Sequence, residues 1–321
     1  MATGDFADIY LDTMNRFGIA TTNTTVLTKV KRLINQGLRD WSIQRPWPIL
    51  MRRAELRTFP DYSTGTVTVT QGSATLTGAS TLWNTNNAWT EKNVQATFKF
   101  QRTADSEIYE VSSVGSDTAI TLLSKYTKAT AAAAAYNIWQ DEYALASDFD
   151  RPVVSRQLFN DIALRPLGFR EWRARFSNAN DVGKPLYYTL GRNRSGLVRL
   201  FLWPAPDRAM ILPYEYITSN LAQASGVDQA ELSGDTDTPN IPMKYRHMLV
   251  HYAVAQYYRD YKDDARYVQS MEQYNDLVRR MANDFELADG MPRLAPDCSK
   301  YTWKRKPSPT EWDLGSWFEI L

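Results

Sequence analysis

The sequence predicts an α+β fold with a helical bundle formed by helices from both ends of the chain, an inserted antiparallel β-sandwich or barrel, and an extended C-terminal arm. Three patterns support this prediction. Apolar residues recur at helical spacing near both ends, residues 55–146 are rich in period-two alternation, and regular patterning stops after Gly290. The predicted segments are N-terminal helices over 1–55, a β domain over 56–146, a mixed helix and strand segment over 147–240, a helical hairpin over 241–290, and the arm over 291–321.

Two helices are predicted near the start of the chain. The first has apolar residues at helical spacing from Phe6 to Phe17, and Gly18 is placed to end it. The second carries a broad apolar stripe from Val26 to Trp41, after a Thr-Asn-Thr-Thr stretch whose side-chain oxygens suit an N-cap. The Arg-Pro-Trp-Pro sequence at 45–48 should stop it.

The predicted β domain begins with a hairpin. Residues 64–70 alternate at period two, Gln71-Gly72-Ser73 is typical of a turn, and 74–76 resume the alternation. Further short strands are predicted around 97–100, 108–114 and 119–123. The alanine run at 131–135 favours a helix by propensity, although its position between strands allows an extended segment equally well. Short strands at this spacing indicate a small antiparallel sandwich or barrel.

The mixed segment combines short helices and strands. We expect helices from about 154 to 164 and from 170 to 176, and strands over 186–190, 197–203 and 210–217. The acidic stretch from about 222 to 240 is interpreted as a solvated connection.

Two heptad seams predict a helical hairpin near the end of the patterned region. The first contains Tyr245, Met248, Tyr252 and Ala255, and the second contains Tyr267, Met271, Tyr274, Val278, Met281 and Phe285. The two helices would join near 260–264 and complete a four-helix bundle with the N-terminal pair.

The arm is rich in proline and aromatic residues. If extended, its 31 residues could reach about 100 Å. Keeping many aromatic rings in water is unfavourable, so we expect the arm to dock onto a partner, with packing on its own domain as the alternative. The residues predicted to dock are Tyr301, Trp303, Trp312, Trp317, Phe318 and Leu321.

Composition narrows the function classes. The 321 residues have a net charge of +1, so the whole molecule should not gather polyanions from a distance. The 10 Trp and 18 Tyr residues favour either protein interfaces or an aromatic-rich core. A single cysteine, Cys298, indicates a reducing compartment. No signal peptide or membrane span is predicted, so we expect the protein to be made and used in the cytosol.

The sequence offers little for catalysis, and we predict neither an enzyme nor a cofactor. His247 and His251 share a helical face, but their segment lacks the glutamate of the metalloprotease motif, so we predict no metal site. Phosphate-binding loops, dinucleotide fingerprints and nucleophile elbows are absent from the sequence. Neighbouring acids such as Asp141 and Glu142 are expected by chance, although a hydrolase built on a carboxylate pair stays an alternative.

One basic patch is apparent. Residues 24–58 carry eight basic and two acidic side chains. The patch could face DNA phosphates, pair with acids of a neighbouring subunit, or be a solvated helix face. The candidate residues are Lys29, Lys31, Arg32, Arg39, Arg52 and Arg53.

Several motifs follow one another in a characteristic order. They are the helix Val30–Trp41 followed by Arg45-Pro-Trp-Pro48, then Gly183–Tyr188, Trp203-Pro-Ala-Pro206, Tyr214-Glu-Tyr216 and Asp237-Thr-Pro-Asn-Ile-Pro242. This succession resembles the head-to-tail adaptor proteins of tailed bacteriophages (portal adaptors or head–tail connectors of the tail-tubular-A-like type). The resemblance covers roughly residues 20–55 and 150–285, and it rests on the order of the motifs.

The resemblance implies a structural virion protein at the head–tail junction, assembled in the host cytoplasm. Such a protein forms a closed ring, expected to be a dodecamer, that binds the portal on one face and a tail tube or nozzle protein on the other. Genomic DNA would pass through the lumen without sequence-specific contacts, and no membrane partner is expected. The competing hypothesis is a glycan-binding or host-surface-binding tail module, which predicts an exposed aromatic groove on residues 60–145.

Overall fold

A computed structural model of the protein describes residues 4–87, 89–153, 158, 164–176, 181–192 and 196–289. Its α-helices are α1 (Phe6–Phe17), α2 (Thr24–Gln44), α3 (Phe169–Phe176), α4 (Met248–Asp260) and α5 (Asp264–Asp289). Its strands are β1 (Met51–Arg57), β2 (Thr66–Val69), β3 (Thr75–Ala79), β4 (Lys99–Arg102), β5 (Tyr109–Ser116), β6 (Ala119–Leu122), β7 (Ala131–Ala134), β8 (Tyr136–Trp139), β9 (Glu142–Ala144), β10 (Phe149–Pro152), β11 (Arg165–Pro166), β12 (Val182–Gly183), β13 (Tyr187–Arg192), β14 (Val198–Trp203), β15 (Ala205–Pro206), β16 (Ile211–Thr218), β17 (Ala222–Ala224), β18 (Val227–Gln229) and β19 (Thr238–Pro239).

The fold is mixed α and β, with helices at both ends of the described chain and a curled antiparallel sheet between them. The chain divides into two compact units. Unit 1 comprises residues 1–41 and 233–321, and unit 2 comprises residues 42–232. No helix in the described ranges is both long and apolar enough to cross a membrane.

In unit 1, helix α1 has the predicted bounds. Its first turn is capped by the Asp5 carboxylate, which accepts from the Asp8 amide, and Gly18 ends it in the left-handed conformation. Helix α1 packs on α4, and α4 packs along α5. Helix α2 approaches α4 closely, because a Cβ added at Gly37 would lie 2.7 Å from Cδ1 of Tyr252.

The helical hairpin forms where the heptad seams predict it. Met248, Tyr252 and Ala255 on α4 are buried, as are Tyr274, Val278 and Met281 on α5. The rings of Tyr252 and Tyr274 meet with centroids 5.2 Å apart. Tyr267, Met271 and Phe285 are half-buried, so the outer parts of the second seam are less enclosed.

In unit 2, seven antiparallel strands form one curled sheet, a half-barrel, in the order β7-β2-β3-β6-β5-β4-β8. Its two edge strands, β7 and β8, are separated by a single residue, so the chain passes directly from one edge of the sheet to the other. Ala133, the third residue of β7, has a positive φ of 50° just before this connection. The alanine run is therefore extended rather than helical. Its small side chains suit a strongly curved edge, and strand pairing overrides helix propensity.

The interior of the half-barrel is lined by aromatic and branched side chains. The fully buried residues are Val67, Val69, Leu76, Trp83, Phe98, Phe100, Val111, Ile120, Tyr126 and Ile138. The indole Nε1 of Trp83 donates to the Tyr136 hydroxyl at 3.0 Å, which satisfies the polar atom of this large side chain.

Smaller sheets complete unit 2. Strand β16 lies between β1 and β10, while β9, β14, β13 and β11 form a four-stranded sheet. The predicted strands near 186–190, 197–203 and 210–217 are β13, β14 and β16, and the predicted helix near 170–176 is α3. The predicted helix from about 154 to 164 lies almost wholly outside the described residues.

The interpretation of residues 222–240 as a solvated connection is wrong for its first part. Strands β17 and β18 pair there as a tight antiparallel hairpin. Ser225 and Gly226 connect them with φ of 49° and 82°, as a two-residue hairpin turn of the primed type requires.

Candidate functional site

The predicted basic residues of α2 lie in unit 1, where Lys29 and Lys31 pair with carboxylates. Lys29 Nζ lies 2.8 Å from Asp260 Oδ2, and Lys31 Nζ lies 2.8 Å from Asp235 Oδ1. Hydrogen bonding to Lys31 lowers the pKa of Asp235, and hydrogen bonding to Lys29 lowers the pKa of Asp260. These two lysines therefore hold elements of unit 1 together.

The other predicted basic residues of α2 are exposed. Arg32 and Arg39 lie on the outer side of α2, because the apolar stripe of this helix is buried against its neighbours. Their charges are thus positioned at the surface of unit 1.

Arg52 and Arg53 lie on β1 in unit 2. The Arg52 guanidinium donates to the carbonyls of Ile49 and Met51 and lies 3.4 Å from the Asp228 carboxylate. Arg53 is exposed and stands directly opposite Glu215 across the β1–β16 pair. Because the six residues fall into different units, their sequence proximity does not by itself define one surface.

The hairpin end of unit 1 carries an aromatic cluster that the sequence patterns did not reveal. We call Phe17, Tyr257, Tyr258, Tyr261 and Lys29 the aromatic end. Phe17 stacks on Tyr257 with centroids 4.0 Å apart, and the Lys29 ammonium lies 5.1 Å and 5.4 Å from the Tyr257 and Tyr261 ring centroids. Tyr261 is 63% exposed. Phe17 is distant from the tyrosines in sequence, so only the helix packing brings the cluster together.

Asp237, in the motif that precedes α4, has a structural role. It is 3% exposed, and its Oδ2 accepts from the Ser233 amide at 2.8 Å and from the Gly234 amide at 2.7 Å. Its carbonyl accepts from the Phe6 amide at 2.8 Å, at the first turn of α1. The motif therefore closes a turn and satisfies an N-terminal amide of another helix.

His247 and His251 lie on one face at the start of α4, with ring centroids 5.9 Å apart. Burial and the nearby Arg16 lower the pKa of His251 to about 4. Burial also lowers the pKa of His247, so the neutral form is favoured at both side chains. Among the described residues, no group of three or more His, Cys, Asp or Glu side chains is arranged to hold a metal ion.

A half-buried charged cluster lies in unit 2. Lys99 and Glu110 form an ion pair at 3.6 Å, and Glu142 lies 3.7 Å from Arg199. Asp141 is the most enclosed member, and burial raises its pKa. Burial also raises the pKa of Glu142. Glu142 thus links β9 to Arg199 on β14, and Glu110 links β5 to Lys99 on β4.

Two clefts adjoin each other in unit 2, because both include Ala144 in their lining. The first has a volume of about 370 Å³ and is lined by Glu55, Arg57 and Glu91 among others. The second has a volume of about 420 Å³ and is more apolar, with arginines at its rim.

Trp83 and most large aromatic residues of the β domain belong to its core. Trp83 and Trp139 are at most 1% exposed, and Trp89 is half-buried under Arg57, whose guanidinium carbon lies 5.4 Å from the ring centroid. Rings packed inside a half-barrel cannot offer a platform to a sugar. This arrangement argues against the glycan-binding hypothesis, which needs an exposed aromatic groove there.

The predicted docking residues of the arm, namely Tyr301, Trp303, Trp312, Trp317, Phe318 and Leu321, lie outside the described residues.

In a comparison with known protein families, a family model described as SU10 adaptor protein matches residues 5–296 of this chain. No curated protein matches the chain.

Proposed function

The chain belongs to the SU10 adaptor protein family, and we propose that it is a structural protein of a tailed-phage virion whose copies form a ring between portal and tail. The observation that carries the proposal is the extent of the match, 292 of 321 residues, derived from its bounds of 5 and 296. It spans the helices at both ends and the β domain between them. The narrower assignment to the tail-tubular-A-like type is part of the proposal.

The proposed assembly is a closed dodecamer at the head–tail junction, formed in the host cytoplasm. In each subunit the helices α1, α2, α4 and α5 would form the bundle body. A ring needs two different complementary surfaces on each subunit, because each copy contacts one neighbour on either side. The aromatic end supports this role, since exposed aromatic side chains such as that of Tyr261 are enriched in protein interfaces.

The proposed lumen carries genomic DNA without sequence-specific contacts. Arg32, Arg39 and Arg53 are the exposed members of the predicted basic set. Exposed arginines can contact passing phosphates or pair with acids of a neighbouring subunit. Lys29, Lys31 and Arg52 are half-buried, in contrast to these exposed residues, and they pair with Asp260, Asp235 and Asp228 of their own units.

The arm is proposed to dock onto the portal or a neighbouring subunit through its aromatic residues. Ordering an extended segment costs about 1 to 2 kcal/mol per residue in backbone entropy. Docking would therefore require a preformed acceptor, which would make assembly sequential. The other face of the ring would receive the tail tube or nozzle protein. The proposed role is structural and not enzymatic.

The test is the mass of the purified full chain, alone and mixed with isolated portal, measured by light scattering coupled to size exclusion. The proposal expects a multi-copy complex with the portal. A matched variant, Trp317→Ser with Phe318→Ser, should bind more weakly if the arm contributes. A full chain that stays monomeric and elutes apart from the portal would refute the proposal.

A further inference from the structure

The second cleft of unit 2 has an apolar lining that is open to solvent among the residues that the structure describes. Its apolar lining includes Leu145, Ala146, Phe149, Leu197 and Val198. Leu197 is 59% exposed. The volume of about 420 Å³ lies within the range of roughly 300 to 1,000 Å³ of clefts that hold ligands. The cleft can therefore accept large apolar side chains.

The rim of this cleft is cationic. Arg192 is exposed, and its Nη1 donates a hydrogen bond to the Gly196 carbonyl at 2.8 Å. Arg199 is largely buried and forms an ion pair with Glu142, with Nε 3.7 Å from Oε1. The acid at the rim, Asp150, is paired with Arg151 at 2.7 Å. The exposed Arg192 guanidinium is therefore the rim group placed to receive an acidic ligand.

The adjoining cleft has the opposite character. Its charged lining consists of two glutamates, Glu55 and Glu91, and one arginine, Arg57. Arg57 lies 3.9 Å from Glu91 and offsets its charge, so Glu55 makes the net charge of this lining negative. An acidic ligand would therefore prefer the arginine-rimmed cleft, and the glutamate cleft serves as a matched control.

Residues 311–321 of this chain combine negative charge with large apolar side chains. Residues 311–321 contain three acids, Glu311, Asp313 and Glu319, and no basic residue. They also contain Trp312, Trp317, Phe318, Ile320 and Leu321. The preceding segment 300–306 is instead basic, with four Lys or Arg residues. Within the arm, acidic charge and apolar bulk therefore coincide in 311–321.

We propose that the cleft lined by Phe149, Leu197 and Val198 is the acceptor for segment 311–321 of this chain, with Arg192 receiving a carboxylate of that segment. The aromatic side chains would leave water for the apolar lining, and each can bury about 150 to 250 Å². Charge complementarity at the rim would fix the direction of the segment. This inference deepens the proposed function, because it rests on the arm docking during assembly and names the surface that receives it.

The experiment uses the full chain with a photo-reactive phenylalanine analogue at position 318, irradiated both alone and in the portal mixture. Crosslinked peptides are mapped by mass spectrometry. The proposal expects crosslinks to residues 144–150 and 196–199. Arg192→Glu should lower their yield about tenfold, because like charges then face each other. Arg57→Glu, in the adjoining cleft, should leave the yield unchanged.

A charge exchange guards against a folding artefact. Changing Glu311, Asp313 and Glu319 to lysine should lower the yield in the parent and restore it in the Arg192→Glu chain. Crosslinks that map elsewhere, or equal losses with Arg57→Glu and Arg192→Glu, would overturn the acceptor. A chain that still joins the portal while failing this test would leave the adaptor role intact.

Discussion

The turn closed by Asp237 gives the sharpest prediction about the fold. Asp237→Ala removes the acceptor of two backbone amides, those of Ser233 and Gly234, and of the Ser233 hydroxyl at 3.1 Å. Hydrogen bonds to a charged group contribute about 1.5 to 3 kcal/mol each, and buried donors left unpaired add to the loss. Because water can reach part of this turn after truncation, we expect a total loss of about 2 to 4 kcal/mol.

Asp235→Ala is the matched control. Asp235 lies in the same turn, and its carbonyl accepts from the Ala7 amide just as the Asp237 carbonyl accepts from Phe6. Its side chain is 60% exposed and pairs with Lys31. Removing an exposed ion pair should cost less than about 1 kcal/mol. The two variants change the charge equally and differ in the burial of the carboxylate.

The assay is amide hydrogen exchange at Phe6 and Ala7, whose protection reports the docking of α1 on this turn. At about 1.4 kcal/mol per tenfold, Asp237→Ala should lower protection roughly 30-fold to 1,000-fold. Asp235→Ala should change it less than about sixfold. Equal losses in both variants would show that charge rather than hydrogen bonding matters, and unchanged protection in Asp237→Ala would refute the reasoning.

Three further predictions concern packing and pH. Gly37→Ala should destabilise unit 1 by about 1 to 3 kcal/mol in urea unfolding, because the added Cβ would overlap the Tyr252 ring. The loss of stability should be smaller in a Tyr252→Leu background, and an unchanged loss would contradict the close contact. His251 has a folded pKa of about 4, below its unfolded value of about 6.5, so stability is present above pH 6.5 and falls as pH drops towards 4. In His251→Gln the urea midpoint should fall less between about pH 6.5 and about pH 4 than in the parent protein. An equal fall in both proteins would refute the role of His251 in this pH dependence. Burial raises the folded pKa of Asp141, so its stabilising contribution is complete below its unfolded pKa and is lost as pH rises through the folded value. The urea midpoint of Asp141→Asn should therefore rise relative to that of the parent as the pH increases above the unfolded carboxyl pKa of about 3.9. A relative decrease would contradict the sign of this shift.

Features set by local pattern could be predicted from the sequence. Gly18 ends α1 because a left-handed residue is needed after the last turn, and glycine adopts it without strain. The seams of α4 and α5 repeat at heptad spacing, so the buried face follows from the sequence alone. The Gly72 turn between β2 and β3 has a positive φ that its flanking alternation already indicated.

Features set by long-range contact could not be predicted in the same way. The extended state of Ala131–Ala134 depends on pairing with β2, which no local propensity encodes. The partners of Lys29 and Lys31 are distant in sequence, so a basic run looked like one patch although it serves separate contacts. The β17–β18 hairpin had a usable signal in Ser225-Gly226, but the surrounding acids favoured a loop.

The proposed role of this chain is to form, from several copies, the ring between portal and tail. Native mass spectrometry of connectors released from virions of the encoding phage tests it most directly. Each copy contributes 36.7 kDa. We expect connectors that contain the portal together with twelve copies of this chain. Connectors that retain the portal and the tail proteins but lack this chain would contradict it.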